Sequence, residues 1–221
     1  MLTIAKAIVF RYNKDNNGYI GKGGSTVDFF KKYSYNIFKL FLTQIALALM
    51  GMAMAMALAF GYAENRGLQV GSSIFVTAFY LFLLYVNVWE VGAKDGLKAA
   101  AHGTSRGLWR GFVMALVANA LNLILAFLIL PGAFLPEGHP FNGFSAAVSV
   151  VALMIEGMYQ GILAVPFRGL QLHDFAWVYF AIVAPAVLVC GFAYILGSYQ
   201  LHATNLLIAK NKDVKNNGRP E

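Results

Sequence analysis

Long apolar runs alternate with short polar gaps along this chain of 221 residues. A helix that crosses a bilayer needs ~20 mostly apolar residues to cover ~30 Å of hydrocarbon. Four runs meet that requirement: residues 37–60, 73–93, 108–130 and 175–198. A fifth, residues 144–165, is long enough but carries Ser145, Ser149, Glu156 and Gln160. These polar residues fall roughly on one helical stripe, so the run reads as amphipathic. The pattern predicts an all-α, polytopic membrane helix bundle. It has four transmembrane helices plus an amphipathic interfacial or re-entrant helix.

The basic residues arbitrate between four spans and five. They crowd into the N-terminal segment, the stretch from Lys94 to Arg110, and the C-terminal tail. With four spans and a cytoplasmic N-terminus, every Lys and Arg except Arg66 and Arg168 lies inside. With five spans the basic tail moves outside and Arg168 moves in, which weakens the asymmetry. The positive-inside rule therefore favours four spans, with both termini cytoplasmic. Residues 1–35 read as a cytoplasmic N-terminal segment, 36–199 as the bundle, and 200–221 as a basic cytoplasmic tail. The implied location is a bacterial plasma membrane, with anionic headgroups meeting the basic inner face.

Composition agrees with that class. The chain is 59% hydrophobic and 12% charged, with a mean hydropathy of +0.61; a soluble domain is roughly 25% charged. The pI near 9.5 does not imply nucleic acid, because the charge sits beside apolar runs rather than in a dense basic stretch. Cys190 is the single cysteine, so no intramolecular disulfide can form. Residues 2–10 are too short, and too soon interrupted by charge, for a signal peptide.

The N-terminal segment has its own pattern. Residues 7–12 can pair with Tyr19 and Ile20 across the turn-forming Asn16-Asn17-Gly18. Ser25-Thr26-Val27-Asp28 has the form of a capping box. It predicts a short helix over residues 26–35, whose Phe29, Phe30, Lys31 and Lys32 suit a membrane surface. Asn13, Asp15, Asn17, Gly18 and Ile20 match the front half of a calcium loop. Gly24 stands where the bidentate Glu belongs, so a turn is the better reading and no cofactor is expected.

Several intramembrane residues are candidates for function. Glu90, with Lys94 four residues on, suits an ion pair near the inner end of the second run. Asn119 and Asn122 share one face of the third run and suit interhelical hydrogen bonds. Glu156 and Gln160, on the amphipathic run, are the best remaining candidates. Ionisable residues in a membrane are expensive and tend to be functional. Met50, Met52, Met54 and Met56 form two pairs on separate helix faces and read as packing rather than as a copper site. Pro185 predicts a kink in the last run. Glu137 and His139 are too few for a metal site, and His102, His173 and His202 have no evident ligand partners. No nucleophile elbow, phosphate loop or dinucleotide fingerprint is present.

Trp89-Glu90-Val91-Gly92-Ala93-Lys94-Asp95, then Arg106-Gly107-Leu108, and a Gly197-Ser198-Tyr199 exit from the last run resemble uncharacterised four-span membrane proteins of Gram-positive, clostridial-type bacteria. That resemblance implies four spans and a bacterial plasma membrane, and it carries no catalytic residue. The expected function is a non-enzymatic accessory or scaffold protein working through helix packing, with a membrane protein partner or as a homo-oligomer. The alternative is a small transporter or channel subunit acting as an oligomer and using Glu90, Asn119, Asn122 and Glu156 along a polar path.

Overall fold

The computed structural model describes residues 26–61, 65–136, 138–167 and 170–201. The chain falls into two units, Met1–Tyr35 and Asn36–Glu221. The turn, the calcium-like loop, Ser25, Glu137, His202 and the basic tail lie outside the described residues. Among the described residues the fold is helical apart from one two-residue antiparallel pair.

The first helix, α1 (Thr26–Gly61), fuses the expected short helix and the first run into 36 residues. No proline or glycine interrupts residues 26–50, so nothing separates the two pieces. In its first turns the Phe29 and Tyr33 rings stand 4.9 Å apart. The second helix, α2 (Arg66–His102), has 37 residues. Its start is capped by the Asn65 side chain, which accepts the Leu68 N–H at 3.1 Å. It ends at Gly103, whose left-handed φ of 62° returns the backbone N–H to the Ala99 carbonyl. At ~1.5 Å per residue both helices are about 55 Å long, well beyond the hydrocarbon thickness.

The third run is not one straight helix. It divides into α3 (Arg110–Ala118) and α4 (Ala120–Ile129), bent by 57° across Asn119. Asn119 explains the bend locally. Its backbone N–H and its side-chain amide both donate to the Ala115 carbonyl, at 2.9 Å each. A side chain competing for a ladder acceptor distorts the turn around it.

A short 3-10 turn, Leu130–Ala133, leads to α5 (Pro140–Ile155). Proline suits the first helical position because its missing N–H is not needed there. The fifth run then breaks at Glu156 and turns by 84° into a 3-10 turn, Gly157–Tyr159, and the single turn α6 (Gln160–Leu163). The polar stripe expected over residues 144–165 is therefore split, with Ser145 and Ser149 on one limb and Gln160 on the other. The returning limb runs toward the N-terminal end of α2. Met158 lies against Ser73 and Gly161 against Gln69. β1 (Pro166–Phe167) and β2 (Leu170–Gln171) pair in register Pro166↔Gln171. After the 3-10 turn Leu172–Asp174 come α7 (Ala176–Ala181) and α8 (Val183–Ser198). The interruption falls at Ile182, just ahead of Pro185, which has no N–H for the Ala181 carbonyl.

Glycine sets how the helices meet. A Cβ on Gly92 or Gly96 of α2 would strike the Tyr194 or Ser198 carbonyl of α8, and one on Gly197 would strike the Trp89 carbonyl. Gly92-x-x-x-Gly96 is the small-residue spacing that brings helix backbones together. Gly111 of α3 meets Cys190 and Tyr194 in the same way. Tyr194 Oη donates to Asp95 Oδ2 at 2.9 Å, and Arg110 Nη1 stands 3.9 Å from that oxygen. Gln200 adopts a left-handed φ of 57° after α8, while its side chain donates to the Ala93 carbonyl at 2.9 Å. The segments that carry the sequence resemblance thus pack on one another at one end of the bundle. Toward the other end, Leu125, Ala126, Ile129, Val148, Ala152 and Tyr179 form a core joining α4, α5 and α7.

Three helices, Thr26–Gly61, Arg66–His102 and Ala176–Ser198, are long and apolar enough to cross a membrane. Their surfaces are apolar as well. Leu42, Leu49 and Met56 recur every seven residues on α1, each more than half exposed. Phe75 and Phe82 do the same on α2. Exposed apolar stripes on this scale face lipid or another protein.

Candidate functional site

The strongest candidate site lies where the bent α5–α6 pair meets α2. Glu156 occupies the bend between α5 and the 3-10 turn and is only 1% exposed. Its Oε2 has no hydrogen-bond partner among the described residues. Burying an ionised carboxylate without a partner costs several kcal/mol. A residue placed so unfavourably is retained for a task more often than for stability.

Three buried phenols belong to this part of the bundle. Tyr80 comes from the middle of α2, Tyr159 from the 3-10 turn and Tyr179 from α7. Each is buried, and each lies within electrostatic reach of Glu156. Asn119 Nδ2 donates to the Ala115 carbonyl at 2.9 Å. Asn122 Nδ2 donates weakly to Asn119 Oδ1 at 3.4 Å. Asn122 Oδ1 and the hydroxyls of Tyr159 and Tyr179 have no partner among the described residues. Buried polar atoms without partners are rare in folded proteins. Here four of them, counting Glu156 Oε2, gather around two helix breaks.

The bent backbone is held by small and hydroxylated residues. Ser73 Oγ donates to the Met158 carbonyl at 2.6 Å, and Thr77 Oγ1 reaches the same oxygen at 3.4 Å. Hydroxyls one turn apart on α2 thus serve a carbonyl in the broken segment, as irregular backbone in an apolar medium requires. On the other flank, a Cβ on Gly51 of α1 would sit 2.5 Å from Met158 Cα, and one on Gly157 would strike the Ala48 carbonyl. Nothing larger than glycine fits at these two positions. Gln44, one turn before Ala48, is buried, and its Nε2 lacks a partner among the described residues.

Two clefts lie along α5. One of about 400 Å³ is bordered by Asn142, Ser145, Ser149, His173 and Asp174. The other, about 350 Å³, is bordered by Met56, Gln69, Gln160 and His173. His173 Nε2 and Asp174 Oδ1 stand 3.4 Å apart.

The residues singled out in the sequence divide as follows. Asn119, Asn122 and Glu156 converge on the cluster. Gln160 lies on the returning limb, in the smaller cleft, with Nε2 at 3.5 Å from the Leu153 carbonyl. Glu90 is elsewhere, half exposed on α2 and paired with Lys94 at 2.6 Å. Met52 abuts Gly157 while Met56 is exposed. His139 caps α5 by accepting the Phe141 N–H at 3.2 Å, and His102 is exposed on α2. Among the described residues no group of three or more His, Cys, Asp or Glu could hold a metal ion.

Sequence reasoning missed the tyrosines and the Ser73–Thr77 pair. The hydroxyls at i,i+4 were a visible signal, because they share a helix face. The tyrosines carried none, since they come from three separate elements. No family model matches the chain, and neither the curated proteins nor the solved structures yield a match.

Proposed function

We propose that this is a small multi-pass membrane transport protein in which Glu156 is the ion-handling group. The observation that carries the reading is the buried carboxyl of Glu156, whose Oε2 has no partner among the described residues, at an 84° helix break. Broken helices that meet inside an apolar bundle are a recurrent way to build ion and substrate sites. In this reading α1, α2, the α3–α4 pair and the α7–α8 pair cross a bacterial plasma membrane, and α5–α6 re-enters from the outer face. Both termini are cytoplasmic, where the basic residues meet anionic headgroups. The path of the returning limb along α2 and the basic asymmetry of the sequence support this arrangement. Reporter fusions at Lys212 and Glu137 test it: an external signal at Lys212 removes the four-span topology.

Chemically, the site offers one carboxyl, three phenols and two amides in a water-poor setting. The carboxyl supplies charge, and the phenols and amides supply oxygen donors that replace hydration. No nucleophile–base pair accompanies them, so the reading is not enzymatic. The test is flux into proteoliposomes under an imposed potential, followed by a trapped pH dye for protons and by radioactive sodium for Na⁺. Flux above that of empty vesicles, abolished in Glu156→Gln, is expected. Equal flux in the wild type, the variant and empty vesicles overturns it.

A second reading, a non-enzymatic accessory or scaffold protein, draws on the exposed Leu42, Leu49 and Met56 stripe of α1, which offers a helix-sized face to a membrane partner or a second copy. Absence of flux together with a stable complex would favour it.

A further inference from the structure

We propose that the Arg106 guanidinium, laid over the Tyr199 ring, holds the phosphate of an anionic glycerophospholipid. The inference rests on the membrane reading above and not on transport, and it names the lipid that one end of the bundle selects.

The turn between α2 and α3 folds back to make this place. α2 ends at Gly103, and the Thr104 N–H joins that of Gly103 on the Ala99 carbonyl, at 3.0 Å. Leu108 N–H then donates to the Arg106 carbonyl at 3.0 Å, and Arg110 N–H to the Gly107 carbonyl at 3.1 Å. Arg106 is thereby brought to the exit of α8, with its Cζ 4.5 Å from the centre of the Tyr199 ring. That exit is tied to α2 well short of its end. Trp89 Nε1 donates to the Leu201 carbonyl and Gln200 Nε2 to the Ala93 carbonyl, each at 2.9 Å. Arg106 therefore sits near the level where the long apolar stretch of α2 gives way to charge, not at the helix tip.

The charge balance leaves this cation for a ligand. Both carboxylates of α2 are matched by basic residues: Glu90 pairs with Lys94 at 2.6 Å, and Asp95 has Arg110 Nη1 at 3.9 Å. Arg106 and Lys98 are exposed, and neither has a carboxylate partner among the described residues. A guanidinium over an aromatic ring keeps its N–H fork for an oxyanion, and a phosphate accepts two of those N–H groups at once.

The surroundings make that phosphate a lipid's. Trp109, three residues on, is 76% exposed, and Leu97, Tyr199 and Leu201 are exposed as well. Tryptophan and tyrosine rings settle at the headgroup level of a bilayer. A cation beside them meets the phosphodiester, while the apolar side chains meet glycerol and the upper acyl chain. A free phosphate ion would leave that apolar surface in water. With two unmatched cations, a headgroup that carries no positive charge of its own fits better than a zwitterionic one.

Quenching by brominated lipids tests the site. The full chain carrying Trp177→Phe keeps Trp89 and Trp109, both at this end. It is reconstituted into bilayers of dioleoylphosphatidylcholine and dioleoylphosphatidylglycerol, with one lipid or the other brominated. The relative binding constant for phosphatidylglycerol over phosphatidylcholine is expected to be about five, the factor that one arginine contributes at an anionic surface. Arg106→Gln should lower it at least about threefold, and Arg66→Gln, which removes the same charge from the opposite end of α2, should leave it unchanged. Should Arg106→Gln fail to reconstitute, Lys98→Gln carries the same comparison. Equal quenching by the two lipids, or equal losses with Arg106→Gln and Arg66→Gln, overturns the site. Loss of the preference in inorganic phosphate at matched ionic strength would assign the guanidinium to free phosphate and overturn the lipid. Quenching by neither lipid removes the membrane reading itself, whereas equal quenching by both leaves that reading standing.

Discussion

Removing the hydroxyls that hold the broken segment gives a quantitative test of how the bend is stabilised. The Met158 carbonyl accepts Ser73 Oγ at 2.6 Å and Thr77 Oγ1 at 3.4 Å. The first is a strong, buried bond, and the second is near the limit of hydrogen bonding. Ser73→Ala should therefore cost about 1 kcal/mol, the usual net value of one such bond, with Thr77 able to close in as a substitute. Thr77→Val keeps the shape and should cost less than about 0.5 kcal/mol. The double variant leaves the carbonyl without either hydroxyl, and an unsatisfied buried group costs roughly 1–3 kcal/mol. The two changes should then be worse together than their sum by at least about 0.5 kcal/mol, as expected for residues sharing a partner. Denaturation in mixed micelles, followed by the fluorescence of Trp89, Trp109 and Trp177, gives the four free energies of the cycle. Strict additivity, or a double variant within about 0.5 kcal/mol of wild type, would refute the argument that these hydroxyls hold the bend.

Three further outcomes follow from the packing. Replacing Asn119 and Asn122 together by Leu should lower stability in detergent by about 1–3 kcal/mol, because their buried bonds to the Ala115 carbonyl and to each other contribute about 0.5–1.5 kcal/mol each; an unchanged or raised unfolding temperature would refute this. Gly197→Ala should destabilise by about 1–3 kcal/mol through overpacking, whereas Gly71→Ala, where a Cβ meets nothing within 4 Å, should stabilise by about 0.5–1 kcal/mol; paired thermal melts compare them. Tyr194→Phe removes the donor to Asp95 and should cost about 1–2 kcal/mol, less than full loss because Arg110 remains beside the carboxylate; a neutral result in the same melts would show that the bond is not stabilising.

The apolar runs made the helices legible, because length and hydropathy are properties of the chain alone. What they could not show was where a run stops being straight. Asn119 and Glu156 stood out as polar residues in apolar surroundings; the bend at Asn119 is made locally with the Ala115 carbonyl, whereas the one at Glu156 depends on hydroxyls supplied by α2. Gly157, next to Glu156, was a local hint of a break. Gly92-x-x-x-Gly96 was readable as a packing spacing, and the segment around it was noticed for its likeness to other chains rather than for its glycines. Residues 26–35 and the first run form one helix, while the boundary at Tyr35 reappears as the division between the two units. The tyrosine cluster was beyond sequence reading, since Tyr80, Tyr159 and Tyr179 are far apart in the chain and ordinary in their own helices.

The uninterrupted length of α2 has a mechanical consequence. Ser73 and Thr77 hold the broken segment, Tyr80 reaches the polar cluster, and Gly92, Asp95 and Gly96 clasp α8. Ser73 and Asp95 are separated by about 33 Å along a single hydrogen-bonded rod that contains no proline. Such a rod behaves like a camshaft. A rotation that lifted Ser73 away from Met158 would also turn Tyr80 and swing Gly92 and Gly96 out of their seats on α8. Both ends of the bundle are geared to one axle, so loosening at the cleft side and loosening at the glycine-packed side are a single motion.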